Sequence, residues 1–258
     1  AAANGLDAVA LGLAPQSVVS LLGAWSLAVN ALTAPWLLQE LRSGRDFAAV
    51  AAIGAGISLT LLGVNRTDRS WTTDEVLARF DQPAVVGYLF AVPLAAAGLW
   101  SFLRCNPSWH KAWPALGALI GSVTLTTAKA TMLLLGQVAA HGSQLLTRWQ
   151  APAIILLFAA SLPLQVYFIN VSLSLNDALY HIPVFFVLWS LLSLVTAEIV
   201  FEEFSEFSRL DWTQFSLGVI VLFVGVGFSA RRRQVAISAA NPRGPQEINL
   251  AEAIGNNL

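Results

Sequence analysis

Leu38-Gln39-Glu40-Leu41 recurs in altered form as Phe201-Glu202-Glu203-Phe204, each time at the end of an apolar, helix-length run and directly before another. In both copies the preceding run opens about 24 residues earlier, and the following run carries two glycines nine apart, Gly54 with Gly63 and Gly218 with Gly227. This is an internal repeat. Five apolar segments separate the copies, an odd number, so if each crosses a bilayer the copies end on opposite faces. Inverted repeats of this kind are a mark of secondary transporters.

Composition points the same way. Of 258 residues, 56% are hydrophobic and 11% charged, with a mean hydropathy of +0.66, values that a water-soluble domain rarely combines. Lipid is therefore the expected solvent for most of the surface. A net charge of −1 leaves no basic face for nucleic acid. Cys105 is the one cysteine, so an intrachain disulfide is impossible, and zinc-type ligand spacing does not occur.

About 20 apolar residues cross the roughly 30 Å hydrocarbon layer as a helix. Seven segments meet or approach that length: Val18 to Leu38, Phe47 to Val64, Ala84 to Leu103, Ala115 to Leu135, Ala151 to Asn170, Ile182 to Ile199 and Phe215 to Ala230. Ala1 to Leu13 is apolar but shorter, and the first methionine is Met132, a combination expected of a chain that begins inside a helix. Alternate connections carry unequal positive charge. Arg42, Arg45, Arg104, Lys111, Arg231, Arg232, Arg233 and Arg243 fall on one side, and Arg66, Arg69, Arg79, Arg148 and Arg209 on the other. The richer side is predicted to be cytosolic, and the C-terminus with it. Trp71, Trp109, Trp113, Trp149 and Trp212 fall near predicted interfaces, where tryptophan anchors helices.

The fold class expected is all-α: a multi-pass helical membrane protein of two inverted five-helix repeats, the first N-terminally incomplete. Residues 1–65 are the remnant of the first repeat, 66–83 a polar non-cytosolic loop, 84–235 the second five-helix repeat, and 236–258 a disordered cytosolic tail.

Leu13-Ala14-Pro15, Gly23-Ala24-Trp25-Ser26 and Gln39-Glu40 resemble the AP, GA-x-S and NE run of the NIPA-like magnesium transporters, a branch of the drug/metabolite transporter superfamily. Gly121-Ser122-Val123 with Lys129 is similar to that family's GS and VK helix, and Gln165-Val166-Tyr167-Phe168-Ile169-Asn170 to its QINYLN. Pro183-Val184-Phe185-Phe186-Val187 through Phe201-Glu202-Glu203-Phe204 resembles its PIYYVFF and LFKEW, in matching register. The resemblance covers nearly the whole chain in order and spacing. It departs at Asp7, where the family has Asn, at Phe185 and Phe186 in place of tyrosines, at Glu202 in place of Lys, and at Glu198 in place of a small residue. These departures bear on which ion moves more than on the fold. The resemblance implies a transporter of Mg2+ whose short connection at Asn176-Asp177 dips toward a central cavity.

Mg2+ sheds water reluctantly and prefers octahedral oxygen ligands, so a transport site should offer one or two carboxylates plus amide or carbonyl oxygens around a partly hydrated ion. Candidates for the ion path are Asp7, Asn30, Gln165, Asn170, Asn176 and Asp177, with Asp177 and Asn170 as the expected metal ligands. Asn176-Asp177 also reads as an ordinary turn and helix cap, and Asn30 as hydrogen-bonding glue between helices. A carboxylate amid apolar residues, as at Asp7, costs roughly 2.5–3.5 kcal/mol at a helix centre, unless its position is terminal. Lys129 lies inside an apolar run. A lysine suits a cation path only if a carboxylate such as Asp177 or Glu198 neutralises it, which makes Lys129 the candidate gating or structural ion pair. Glu198, Glu202 and Glu206 recur every fourth residue, with Glu203 beside them. They form either an acidic vestibule that concentrates cations or a solvated helix end meeting Arg209.

His110, His141 and His181 fall apart in connections, and neither a Gly-x-Ser-x-Gly elbow nor a phosphate-cradling glycine loop occurs, so an enzyme is not expected. The expectation is membrane transport of Mg2+, and of other divalent cations, by alternating access between two inverted repeats. No cofactor is expected, since Mg2+ is cargo; the bilayer is the partner, and a homo-oligomer is admitted. The alternatives are a carrier of a small organic solute, with Lys129 meeting its anionic group, and a non-transporting membrane subunit.

Overall fold

The computed structural model of the protein describes residues 12, 14–23, 25, 29, 44–64, 71–141, 148–176 and 178–240. Among the described residues the chain is helical, without a strand. In order come α1 (Gln16–Leu22), α2 (Gly44–Gly63), α3 (Thr73–Phe80), α4 (Pro83–Cys105), a 3-10 turn (Pro107–Ala112), α5 (Trp113–His141), α6 (Gln150–Leu175), α7 (Ala178–Phe201) and α8 (Arg209–Ala240). Among the described residues, five helices are long and apolar enough to cross a membrane: Pro83–Cys105, Pro107–Ala139, Gln150–Leu175, Tyr180–Phe201 and Arg209–Phe228. Phe47–Gly63 is a shorter apolar helix. Most of the expected span Val18 to Leu38 lies outside the described residues.

The structure departs from the sequence expectations at four points. The connection expected as a polar loop over 66–83 contains α3. Its charged residues disguise an amphipathic helix: Thr72 Oγ1 accepts from Glu75 N–H (3.3 Å) and Glu75 Oε2 from Thr72 N–H (2.9 Å), a reciprocal cap. Val76, Leu77 and Phe80 meanwhile join the buried cluster with Trp71 and Leu134. At the other end, α8 continues to Ala240, past the expected boundary at 235. His181 lies inside α7 rather than in a connection, fully buried, with Nδ1 2.7 Å from Ser172 Oγ. Of the tryptophans expected at interfaces, Trp71 and Trp113 are core residues, whereas Trp109, Trp149 and Trp212 are exposed.

α5 runs through the middle of the bundle. Its most apolar window is 78% buried, against 17% for α4 and 22% for α6, so α4 and α6 are left with the outward, lipid-compatible faces. α5 packs on α4, α6 and α7, while α1 lies on α7 and α2 on α8. Polar contacts tie the two ends of the bundle separately. At one end Arg148 pairs with Asp74 (3.2 Å) and Gln150 Nε2 donates to Asp81 (3.1 Å). At the other, Asn176 Nδ2 donates to the His110 carbonyl (2.9 Å) and Tyr180 OH to the Lys111 carbonyl (3.1 Å).

The closest helix approach joins α2 to α8, the helices that follow the two copies of the repeated phrase. A Cβ on Gly56 would lie 2.5 Å from Leu222 N, one on Gly63 2.7 Å from Phe215 N, and one on Gly225 2.9 Å from Ile53 N. Numbers rise along α2 as they fall along α8, so the pair is antiparallel. Only hydrogen at these positions lets the two backbones touch, the usual device where lipid supplies no hydrophobic drive between helices.

Candidate functional site

Helix α5 carries an unusual load for a central apolar helix: Ser122, Thr124, Thr126, Thr127, Lys129 and Thr131 are all buried. The hydroxyls are tolerated because several return their protons to the helix itself. Thr124 Oγ1 donates to the Ile120 carbonyl (3.0 Å), Thr126 to Ser122 (2.9 Å) and Thr127 to Val123 (2.7 Å). Facing them are Ser190, Ser193 and Thr196 on α7 and Gln16, Ser17 and Ser20 on α1, each fully buried. The three helices enclose a polar seam. Gln16 spans it: its Nε2 donates to the Ser193 carbonyl (3.1 Å), Thr126 Oγ1 (3.1 Å) and Thr196 Oγ1 (2.8 Å). α1 runs antiparallel to α7 along it, since a Cβ on Gly23 would meet Phe186 at 3.4 Å and Trp189 at 3.6 Å.

The seam ends at a charge cluster built by the second repeated phrase. α7 stops at Phe201 because Glu202 turns left-handed (φ 49°), its N–H bonding back to the Glu198 carbonyl (3.0 Å). That turn sends adjacent carboxylates in different directions. Glu202 pairs with Arg79, whose guanidinium lies 5.8 Å from the Trp71 ring centroid. Glu203 points inward, where its Oε1 lies 2.6 Å from Lys129 Nζ, with both side chains less than a tenth exposed. The same carboxylate accepts from the N–H groups of Gln16 and of Ser17 (2.9 Å), the first two of α1. Pro15, just before, has no side-chain cap to offer, so Glu203 supplies across the seam what a local cap would. Lys129 Nζ also sits 4.4 Å from the Phe201 ring centroid, and Phe201 meets Trp71 edge-on at 5.7 Å. Removing one partner of such a buried pair costs about 3–5 kcal/mol.

Residues 2–235 match the family model of the magnesium transporter NIPA. The chain belongs to this family. It is 25% identical over 244 residues to a probable magnesium transporter, NIPA8, of Arabidopsis thaliana, covering 88% of this chain and 55% of that protein. It is 24% identical over 219 residues to a probable magnesium transporter of Candida albicans (83% and 58%). Over 216 residues it is 24% identical to magnesium transporter NIPA1 of Mus musculus (82% and 67%). The chain thus spans between about half and two thirds of the length of these relatives. No solved structure matches it. Family membership and the five apolar helices make it an integral, multi-pass membrane protein.

Within this NIPA-family bundle the sequence-predicted residues are scattered. Asp7, Asn30 and Asp177 lie outside the described residues, and with Asp177 goes one member of the expected Asp177–Asn170 ligand pair. Asn170 is exposed on α6. Asn176 closes α6, its Nδ2 bonding the carbonyls of His110 and Ser172. Gln165 is half-buried, its Nε2 2.8 Å from where a Cβ on Gly121 would stand and next to Trp189. Of the acidic set, three carboxylates have internal partners, Glu198 Oε2 accepting from Phe204 N–H (2.8 Å), Glu202 pairing with Arg79 and Glu203 with Lys129, while Glu206 is exposed. The carboxylate facing Lys129 is accordingly Glu203, rather than Glu198. Among the described residues no group of three or more His, Cys, Asp or Glu could hold a metal.

The seam residues Gln16, Ser17, Ser190, Ser193 and Thr196 were not singled out from sequence. A signal existed: Ser190, Ser193 and Thr196 recur every third residue, and Ser122, Thr126 and Lys129 follow at four and three, each set tracing one helix face.

Proposed function

We propose that this chain moves Mg2+ across a membrane, with other divalent cations as weaker cargo, by opening its polar seam alternately toward either side. The observation that carries the reading is the buried seam itself, neutral oxygens on α1, α5 and α7 ending at the carboxylate of Glu203, in a chain of the NIPA family. Oxygen ligands with few carboxylates suit an ion that keeps part of its water and must leave again. The relatives' names support Mg2+ as the cargo. The antiparallel meeting of α2 and α8 supports two inverted halves, because related helices that pair antiparallel start from opposite faces. In this reading residues 1–65 belong to the first half, 84–235 to the second, and the C-terminus is cytosolic. Gln165, beside Trp189 and the α5 backbone, is the second polar group on the path, and Asp7, Asn30, Asn170 and Asp177 lie toward its ends.

The organic-solute alternative asks Lys129 to meet an anionic group, yet its ammonium already has Glu203. The test is Mg2+ flux into liposomes carrying the purified chain, beside uptake in cells that require external magnesium. Saturable entry above protein-free vesicles is expected. Folded protein that carries no Mg2+ in either setting overturns the proposal.

A further inference from the structure

Along the seam, α1 and α7 bring more polar groups than they satisfy. Gln16 Oε1, Ser17 Oγ, Ser190 Oγ and Ser193 Oγ have no hydrogen-bond partner, and all four residues are fully buried. Turning the Gln16 amide over does not repair this. Its Nε2 faces the Ser193 carbonyl, which can only accept, so the amide oxygen must point the other way. The N–H groups of Gln16 and Ser17 both bond the Glu203 carboxylate, so these two side chains begin beside it, whereas Ser190 and Ser193 lie on one face of α7 about 16 and 12 Å of helix rise before its end. The seam's one carboxylate among the described residues, Glu203, holds Lys129 as its counter-ion.

The geometry points to Gln16, Ser17 and Glu203 as the binding site of the transported divalent cation, with Lys129 as the resident charge that the cation displaces from Glu203. This rests on the transport reading above and adds a place and a ligand set to it. Amide and hydroxyl oxygens that lack partners in the closed bundle are available to a hard cation or to the water it carries. Lys129 stands where that cation would stand, 2.6 Å from the carboxylate. When displaced, its ammonium keeps the Phe201 ring, already 4.4 Å away. Competition from Lys129 holds the affinity low enough for release, as conduction requires.

The test is MgCl2 titration of the purified full chain by calorimetry at constant ionic strength, with flux into liposomes measured in parallel. Ser17→Ala removes a hydroxyl that has no partner to lose. Its thermal midpoint without Mg2+ should equal or exceed that of the wild type, while its Kd weakens about tenfold. Lys129→Met removes the competitor and should tighten Kd by about tenfold while slowing flux; Glu203→Gln should abolish binding. A purely structural ion pair predicts instead that the Lys129 and Glu203 variants fail alike. A Ser17→Ala protein that binds as the wild type does, or a folded Lys129→Met that binds more weakly, overturns the site. If Lys129→Met does not fold, Ser17→Ala decides alone. Wild-type flux with unchanged variants sinks the site only, whereas wild-type protein that neither binds nor carries Mg2+ sinks the transport reading with it.

Discussion

Replacing Gly56 by alanine puts a methyl group where α8 has backbone. The new Cβ would stand 2.5 Å from Leu222 N and 2.7 Å from Leu222 Cα and Cβ, where ordinary contact begins at 3.4 Å. No side-chain rotation relieves a clash with main chain, so α2 and α8 must separate by about 0.9 Å. That shift loosens Ile53, Leu222 and Val226, all now buried in one cluster. Overpacking of a filled core costs about 1–3 kcal/mol, and alanine's better helix propensity returns up to about 1 kcal/mol. The net loss is about 1–2 kcal/mol, or roughly 2–8 °C in thermal midpoint for a chain of this size. Gly227 is the control, since a Cβ there meets nothing within 4 Å. Gly227→Ala should therefore keep the propensity gain and melt at or above wild type. Thermal unfolding of purified protein in detergent, followed by far-UV circular dichroism, reads both. Gly56→Ala melting at or above wild type would refute the claim that bare backbone contact joins these helices.

Other substitutions probe separate contacts. Arg79→Ala strips Glu202 of its partner and the Trp71 ring of its guanidinium, whereas Glu202→Gly relaxes the left-handed turn while losing the same pair. Unfolding midpoints of the singles and the double should therefore show coupling of about 0.5–3 kcal/mol, and strict additivity would mean that the pair is idle. Gly121→Ala drives a methyl within 2.8 Å of Gln165 Nε2 and Trp189 Cδ1; Gln165 can swing away, but Trp189 is stacked on Phe185 at 6.2 Å, so a loss of about 1–2 kcal/mol is expected, with a shift in tryptophan emission. Cys105, the one cysteine and exposed, should react with a membrane-impermeant maleimide from one face only, and Glu206→Cys in a Cys105→Ser background from the other. Labelling of both from a single face would remove the odd number of crossings between the repeats.

Hydropathy and length revealed the five long helices because spanning lipid is a demand on some 20 residues at once, which no single residue can disguise. Finer features need the third dimension. The mirrored glycines stood out nine apart, Gly54 with Gly63 and Gly218 with Gly227, but nine residues at about 100° each put such a pair on opposite sides of a helix. The contact uses Gly56 with Gly63 and Gly218 with Gly225, seven apart and so on one side. Lys129 was legible as a residue in need of a carboxylate, yet its partner was not. Glu202 and Glu203 are neighbours in sequence, and only the left-handed turn at Glu202 sends one to Arg79 and the other to Lys129. Seam hydroxyls escaped notice for another reason: serine and threonine commonly satisfy themselves on their own helix, as Thr124 and Thr127 do here, so their presence in an apolar span reveals little until their neighbours are known.

The α2–α8 and α1–α7 interfaces, each of which would join the halves of the proposed carrier, differ in what opening them would do. Parting α2 from α8 would forfeit close backbone packing, so in the proposed cycle this pair would serve as the pivot. Parting α1 from α7 would hydrate buried oxygens of both helices that have no partner when closed, so the seam would be the side that separates. What resists separation is Glu203, which accepts from the first two N–H groups of α1 while pairing with Lys129 inside its own half. Pulling α1 away with nothing in exchange gives up two charge-assisted hydrogen bonds, about 1.5–3 kcal/mol each. In the proposed cycle a divalent cation arriving on Glu203 supplies the exchange, because the carboxylate gains a partner as it loses those donors and the displaced lysine keeps the Phe201 ring. The clip that holds the empty bundle closed would therefore make its opening depend on cargo, and a carrier built this way would leak little when no cation is bound.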